Sequence, residues 1–354
     1  MKILYLYAEV MGYTMATIKA LVERGAEVHV VHWDHKKLTS YQIQPLRNVH
    51  MYNRSEMTVE HMLRLASSLS PTLTYISGWQ DKGYLIVAKR LREKDGVVVV
   101  GFDDQWVGTA RQRLAPALGA MGYFGRYFSH AWVSGAYQFE YARRLGFDKT
   151  RIVYDLLSAD LTVFHAAFRN NLVQKTKFYP HRFLFVGRFE PIKGLDTLLQ
   201  AWNILGDNKR DWELHLIGSG SLRTVLESAQ SVIVKDFMQP ERLIEEVALA
   251  GCFVLPSRGE PWGVVLHEFA AAGLPLIVSD AVGAGSSFLI SGMNGYGFKA
   301  NDAQDLASQM ARIIEMTDPL LLSMAEYSYN LSHRITPESS AGNLLSVTNH
   351  HKSL

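Results

Sequence analysis

Two loops hold the residues whose types and spacing best suit chemistry. Phe183-Leu184-Phe185-Val186-Gly187-Arg188 reads as a strand that ends in glycine and then arginine, and Phe189-Glu190-Pro191-Ile192-Lys193-Gly194 leads into a helix from Leu195. Arg188 and Lys193 thus share one strand-to-helix loop, beside the unpaired N–H groups of a helix start. A guanidinium grips two oxygens as a fork and an ammonium adds a mobile point charge, a combination that suits a diphosphate. Taken alone, the same pair also fits two solvated surface cations.

The second loop lies in Val254-Leu255-Pro256-Ser257-Arg258-Gly259-Glu260-Pro261-Trp262-Gly263-Val264-Val265-Leu266-His267-Glu268, where a buried strand runs out and a helix begins near Trp262. Glu260 falls in the loop. A helical rise of about 1.5 Å per residue puts Glu268 a little over one turn in, its side chain leaning back toward the N-terminus. The spacing predicts both carboxylates in one crevice, with the N–H groups of Gly263, Val264 and Val265 pointing into it and Gly263 allowing close approach of a phosphate.

Two glutamates eight apart arise often by chance. Here they come with a Pro256-Ser257 strand exit, a glycine at the helix start, the small-residue run Ala270-Ala271-Ala272-Gly273 and a further strand. At this point the chain resembles retaining glycosyltransferases of the GT-B fold, closest to glycosyltransferase family four, the group 1 glycosyl transferases with the E-x(7)-E motif. The resemblance runs from Phe183 to Phe298, through Leu216-Ile217-Gly218-Ser219-Gly220 and Asn294-Gly295-Tyr296-Gly297-Phe298, and more weakly into the N-terminal half.

That resemblance implies that Arg188 and Lys193 hold the donor diphosphate, that Glu260 contacts the hydroxyls of the transferred sugar, and that Glu268 binds the ribose. Gly12 resembles the family's glycine loop from the N-terminal domain, although it stands alone and equally fits a plain helix N-terminal glycine. Relatives often carry a histidine after the fourth N-terminal strand. Here that strand runs Val99-Val100-Gly101-Phe102-Asp103-Asp104, so Asp103 takes the position, and Ser287 falls where many relatives have a glutamate. Both departures bear on sugar and acceptor rather than on the diphosphate.

The implied activity is retaining transfer of a sugar from a nucleoside-diphosphate sugar to a glycan or glycolipid, within polysaccharide biosynthesis. A leaving phosphate oxygen would take the acceptor proton, and cations would replace a metal. The chain has no Asp-x-Asp pair, and His29, His32 and His35 alternate faces along a strand, so no metal site is expected. No cofactor is implied beyond the nucleotide-sugar substrate, with uridine favoured over guanosine. Two other readings stay open: an epimerase or phosphorylase on the same fold, and a catalytically silent nucleotide-sugar binder.

The elements that must position these residues alternate in type. Strand-like runs at Lys2–Tyr7, Glu27–His32, Thr72–Ser77, Gly96–Phe102 and His130–Ser134 alternate with helical stretches at Tyr13–Arg24, Met57–Ser68, Tyr84–Glu93 and Tyr137–Leu145. After a polar, irregular passage at Phe168–Pro180 the pattern restarts, with strands at Arg182–Gly187, Glu213–Ile217, Val232–Lys235, Cys252–Leu255 and Pro275–Val278. The fold class is α/β: two Rossmann-like domains facing across a cleft that closes on substrate, with a C-terminal helix able to cross back to the first domain. The boundaries are 1–168 for the acceptor domain, 169–336 for the donor domain, and 337–354 for a helix and a frayed tail carrying His350 and His351.

With 354 residues, 48% of them hydrophobic and 20% charged, the chain has material for two cores. Its one cysteine, Cys252, lies in an apolar run, so a reduced, cytoplasmic setting is expected, at the cytoplasmic face of a membrane if the acceptor is lipid-linked. The N-terminal apolar run is too brief for a signal peptide, and no run reaches the roughly 18 apolar residues of a bilayer span. Residues 1–165 hold 20 Lys and Arg against 15 Asp and Glu, a small imbalance without a recognised motif, so nucleic acid is not an expected partner. Residues 110–132 interleave Arg111, Arg113 and Arg126 with Tyr123, Phe124, Tyr127, Phe128 and Trp132. That mixture suits peripheral contact with a membrane or a lipid-linked acceptor, while a partly buried helix plus strand fits as well and is favoured.

Overall fold

A computed structural model describes residues 1–35, 41–229 and 231–350. The chain divides into two compact units, 1–158 with 335–354, and 159–334. In the first unit seven strands form one sheet: β1 (Lys2–Tyr7), β2 (Glu27–His32), β3 (Val49–Asn53), β4 (Leu73–Ser77), β5 (Val98–Phe102), β6 (His130–Val133) and β7 (Ile152–Val153), in the order β3-β2-β1-β4-β5-β6-β7. Every pairing is parallel, as in β1 against β4, where Ile3 lies beside Leu73. Strands buried on both faces must be apolar almost throughout, and β1 accordingly buries Ile3 to Tyr7 without a break.

Helices α1 (Gly12–Glu23), α2 (Val59–Leu69), α3 (Lys82–Arg92), α4 (Ala110–Ala120) and α5 (Ala136–Arg144) connect these strands. Residues of α2, α3 and α5 pack with Leu4, Leu6, Val98 and Val100 on one face. Residues of α1 pack with Ile3, Tyr5, Val28 and Val99 on the other, together with Ala341, Leu344 and Val347 from near the C-terminus.

The second unit starts with α6 (Leu161–Lys177) and repeats the plan with β8 (Arg182–Val186), β9 (Glu213–Ile217), β10 (Ile233–Lys235), β11 (Cys252–Leu255), β12 (Leu276–Ser279) and β13 (Gly295–Phe298), ordered β10-β9-β8-β11-β12-β13. Its other helices are α7 (Leu195–Ile204), α8 (Arg223–Glu227), α9 (Pro240–Ala248), α10 (Val264–Ala271), α11 (Gly285–Phe288), α12 (Ala303–Glu315) and α13 (Asp318–Ser332). The last helix, α14 (Pro337–His350), returns to the first unit, where Arg24 donates to the Glu338 carbonyl and Ser340 to that of Asp155.

Several sequence expectations change. Phe168–Pro180, read as irregular, is mostly helix: α6 is capped by Asp160, whose side chain accepts from the Thr162 N–H at 3.2 Å. The polar sequence hides a buried face of Phe164, Ala167, Phe168 and Lys175, the last donating to the Ala250 carbonyl at 2.9 Å. The first unit accordingly ends at 158 rather than 168. Strands β3, β7 and β13 were not anticipated, and β3 makes the strand before Asp103 the fifth in chain order instead of the fourth. His351 lies outside the described residues, as do the side chains of His350 and Arg111.

Candidate functional site

In each sheet the strand order reverses at one point, between β1 and β4 and between β8 and β11. There the connections leave toward opposite faces, and a crevice opens beyond the carboxyl ends of the strands. The loop after β8 carries Arg188 and Lys193, and the loop after β11 carries Glu260. Both predicted loops therefore flank the switch point of the second sheet.

They are stitched together. Gly194 has φ 67°, and a Cβ on it would come within 2.1 Å of the Pro256 carbonyl oxygen, so only glycine fits between the two loops. The Arg258 N–H donates to the Ile192 carbonyl at 2.8 Å, and its guanidinium donates to the Pro191 carbonyl at 3.2 Å while binding Asp196 and Asn301. Glu190 accepts from the Ser221 hydroxyl at 2.7 Å and N–H at 3.1 Å, bonds that hold its carboxyl below the usual range, aided by the charge of Arg188. Sequence reasoning gave no role to Glu190 or Arg258; their position within the two loops was the available signal.

Within this frame Lys193 and Glu260 meet in an ion pair, both largely buried, and the Ser257 hydroxyl adds a bond to Glu260 at 3.2 Å. Arg188 is exposed at the loop and makes no hydrogen bond or ion pair among the described residues. The cation expected to be mobile is therefore paired, and the one expected to be a fork is unengaged.

Glu260 also joins the next loop, through its N–H to the Ala281 carbonyl at 3.2 Å and its carbonyl to the Gly283 N–H at 3.0 Å. Helix α10 starts at Val264, after Gly263 at φ 92°. The N–H groups of Gly263, Val264 and Val265 precede the first helical bond, from the Leu266 N–H to the Gly263 carbonyl at 2.9 Å, and find no acceptor among the described residues.

Glu268 lies in the second turn of α10, and no hydrogen bond or ion pair links it to Lys193 among the described residues. Burial, reinforced by the charge of Asp160, pushes its carboxyl up to about 7, and no hydrogen bond partners it among the described residues. Beside it His267 is fully buried: its Nδ1 accepts from the Ala159 N–H at 3.0 Å and its Nε2 donates to the Ser332 carbonyl at 2.8 Å. Burial pulls it down to about 3, so it is a neutral brace that fixes α10. Ser287, in α11, is partly exposed, and its carbonyl accepts from Arg334 at 3.1 Å.

Gly12 and Asp103 belong to the first unit. Gly12 is the first residue of α1, and a Cβ there would meet only the Tyr41 ring at 3.7 Å, an ordinary contact. Asp103 follows β5 on the wall of a cavity of about 650 Å³ at the carboxyl ends of the strands, lined also by Tyr7, Trp33, Tyr75, Trp79 and Tyr127. Burial, with the charge of Asp103 adding, pushes the Tyr7 hydroxyl up to about 12. Phe124, Phe128 and Trp132 are buried, so those aromatics of residues 110–132 turn inward.

One further donor set lies at the edge of the first sheet. Glu27 Oε1 lies 3.1 Å from His29 Nε2 and 3.2 Å from His50 Nε2, and the three offer ligand atoms within 4.8 Å of one another. The spacing of His29, His32 and His35 does not disclose this set, because β3 supplies His50.

The chain is also similar to known proteins. The family model described as "Glycosyl transferases group 1" matches residues 180–316. An uncharacterized glycosyltransferase of Methanocaldococcus jannaschii is 33% identical over 140 residues, 37% of each chain. The chain spans less than half the length of the curated relatives it matches. Among solved structures, Anabaena HepE in complex with UDP superposes with a TM-score of 0.73 over 100% of both chains at 15% identity. Sucrose-phosphate synthase from Thermosynechococcus elongatus does so with 0.76 over 99% of both at 16%. The whole chain thus has the GT-B fold, and residues 180–316 match the family model of the group 1 glycosyl transferases.

Proposed function

We propose that the protein is a glycosyltransferase that moves a sugar, with retention of configuration and without a metal ion, from a nucleoside-diphosphate sugar to a glycan or glycolipid acceptor. The observation that carries this reading is the second switch point, where unengaged Arg188, the Lys193–Glu260 pair and the open N-terminus of α10 share two interlocked loops. A diphosphate would bind Arg188 and the N–H groups of Gly263, Val264 and Val265 and would draw Lys193 from Glu260. Sugar hydroxyls would then donate to Glu260, and ribose hydroxyls to Glu268.

During transfer the bond from the sugar C1 to the phosphate oxygen breaks, and the acceptor oxygen bonds to C1 on the same face. The acceptor proton passes to the departing phosphate. Negative charge grows on that phosphate, where fixed cations and N–H dipoles act with most effect. Asp103 would stand near the reacting sugar and Gly12 near the phosphates, as the family resemblance suggests. UDP is the favoured nucleotide, in keeping with its presence in HepE.

The same reading sets the reaction in the cytoplasm and, for a lipid-linked acceptor, makes residues 110–132 the segment that would touch an anionic membrane. There Leu114 and Met121 are 69% and 67% exposed, and Arg113 and Arg126 are exposed too. No helix among the described residues is long and apolar enough to cross a bilayer. Sedimentation with anionic liposomes at low salt checks the membrane contact; no binding removes it.

The main test is a panel of uridine and guanosine sugars screened for thermal stabilisation and slow donor hydrolysis, with Arg188→Ala and Glu260→Ala alongside. At least one sugar should stabilise and turn over, and both variants should lose turnover. If none stabilised the protein the reading would fail. Binding with no transfer to any acceptor would favour the silent binder, and a rearranged or phosphorolysed sugar the epimerase or phosphorylase.

A further inference from the structure

The amino-terminal halves of β2 and β3 carry a donor set that the transfer reaction does not use. Glu27 and His29 are two residues apart in β2 and so project from the same face of the sheet. His50 of β3 lies beside His29 in the parallel register, and the two imidazole rings stack with centroids 4.4 Å apart and planes 17° from parallel. All three residues belong to the first unit, at the end of the sheet opposite its switch-point crevice.

Glu27 Oε1 is shared, 3.1 Å from His29 Nε2 and 3.2 Å from His50 Nε2. Metal–ligand bonds of about 2.0–2.2 Å at a tetrahedral angle set neighbouring donor atoms about 3.3 Å apart, so both separations already suit a zinc ligand set. Burial holds one member in place: the His29 side chain is 7% exposed, and its other nitrogen, Nδ1, lies 3.0 Å from the Tyr52 hydroxyl. That hydroxyl can accept the Nδ1 proton while Nε2 offers its lone pair, the arrangement that orients metal-bound imidazoles. The Glu27 and His50 side chains are 41% and 49% exposed, so an ion and a further water ligand can reach the set from solvent.

Independently of the transferase reading, we propose that Glu27, His29 and His50 form a site for one divalent transition-metal ion of the zinc class, completed by water, that clips edge strand β3 to β2. Two imidazoles and one carboxylate favour such an ion over magnesium or calcium, which take oxygen ligands. The Lys2 ammonium, beside Glu27 in the register of β1 with β2, opposes the cation.

The test is a calorimetric titration of zinc chloride into the full chain after treatment with a chelator. One ion per chain should bind saturably and raise the thermal midpoint, because it binds the folded strands. Magnesium should not compete at equal concentration, and cobalt(II) should give the visible absorption of a four-coordinate ion. His50→Ala and Glu27→Gln, both at exposed positions, should each weaken zinc at least tenfold and lose the cobalt absorption, whereas Lys2→Ala should tighten zinc. A double variant, His350→Ala with His351→Ala, should bind zinc as the wild type does, which separates this site from the terminal histidine pair. No saturable zinc binding, an unchanged midpoint at saturating zinc, or competition by equal magnesium overturns the proposal. So does undiminished affinity in His50→Ala or Glu27→Gln, weaker binding in Lys2→Ala, or loss of binding in the terminal variant.

Discussion

The two switch points share a strand order and differ in almost everything their loops carry. At β8 and β11 the loops hold Arg188, Lys193, Glu190, Arg258 and Glu260, and glycine lets backbone approach backbone at Gly194. Around β1 and β4, Tyr7 and Tyr75 of the strands themselves, Trp33 after β2 and Trp79 after β4 surround about 650 Å³ of space. A doubly wound sheet provides the crevice in both cases, and the loop residues decide what enters it. One set suits a charged phosphate held by cations and N–H groups. The other offers aromatic faces with polar edges.

The largest effect that would break this contrast is at Glu260. Glu260→Ala leaves Lys193 without its partner and removes a hydroxyl acceptor, so kcat/KM should fall by a factor of 10² to 10³, roughly 3–4 kcal/mol. Near-normal turnover would remove Glu260 from the site. Next is Gly194→Ala, which forces a side chain against the Pro256 carbonyl at positive φ. A loss of about 2–4 kcal/mol in unfolding free energy is expected, together with weakened UDP binding; a variant of unchanged stability would mean the loops are not interlocked.

Glu268 gives a smaller, pH-dependent effect. Its carboxyl is raised from 4.5 to about 7 in the fold, so between those values the folded state holds a proton that the unfolded chain has released. Stability contributed by this group is therefore full below about 4.5 and falls as pH rises toward 7, by about 1–3 kcal/mol in all. A nucleotide whose ribose hydroxyls pair with the carboxylate would release that proton. Calorimetry of UDP binding at pH 6 in buffers of different ionisation enthalpy should show net proton release, absent in Glu268→Gln; identical values for the two proteins would detach Glu268 from the ribose. The smallest expected change is Trp79→Ala on UDP affinity, within about twofold, because the aromatic switch point should not touch the nucleotide; a tenfold loss would dissolve the contrast.

Much of this architecture was legible in the sequence for a physical reason. Parallel strands covered on both faces must be apolar runs, and β1, β2, β9 and β11 have the bounds that those runs predicted. What escaped was short or disguised. Strand β3 lies at a sheet edge and is only partly buried, β7 has two residues, and β13 has two glycines in four. Helix α6 carries a lysine whose burial, pulling it down to about 7, its polar neighbours do not reveal.

At the site, loop chemistry singled out Arg188, Lys193 and Glu260. It did not show that Lys193 is paired with Glu260 or that Arg258 straps the loops, because side-chain pairing across about 70 residues leaves no local pattern. The aromatic cavity was invisible for the same reason. Its wall is assembled from separate segments, and residues 110–132 alone resemble a surface helix.

The most direct test of the central claim, that the charged switch point holds the nucleoside diphosphate, is a calorimetric titration of UDP into three proteins: wild type, Arg188→Ala and Trp79→Ala. The account predicts saturable binding by wild type, at least a tenfold loss in Arg188→Ala and near-wild-type binding in Trp79→Ala. No UDP binding by wild type, or equal affinity in wild type and Arg188→Ala, would contradict it.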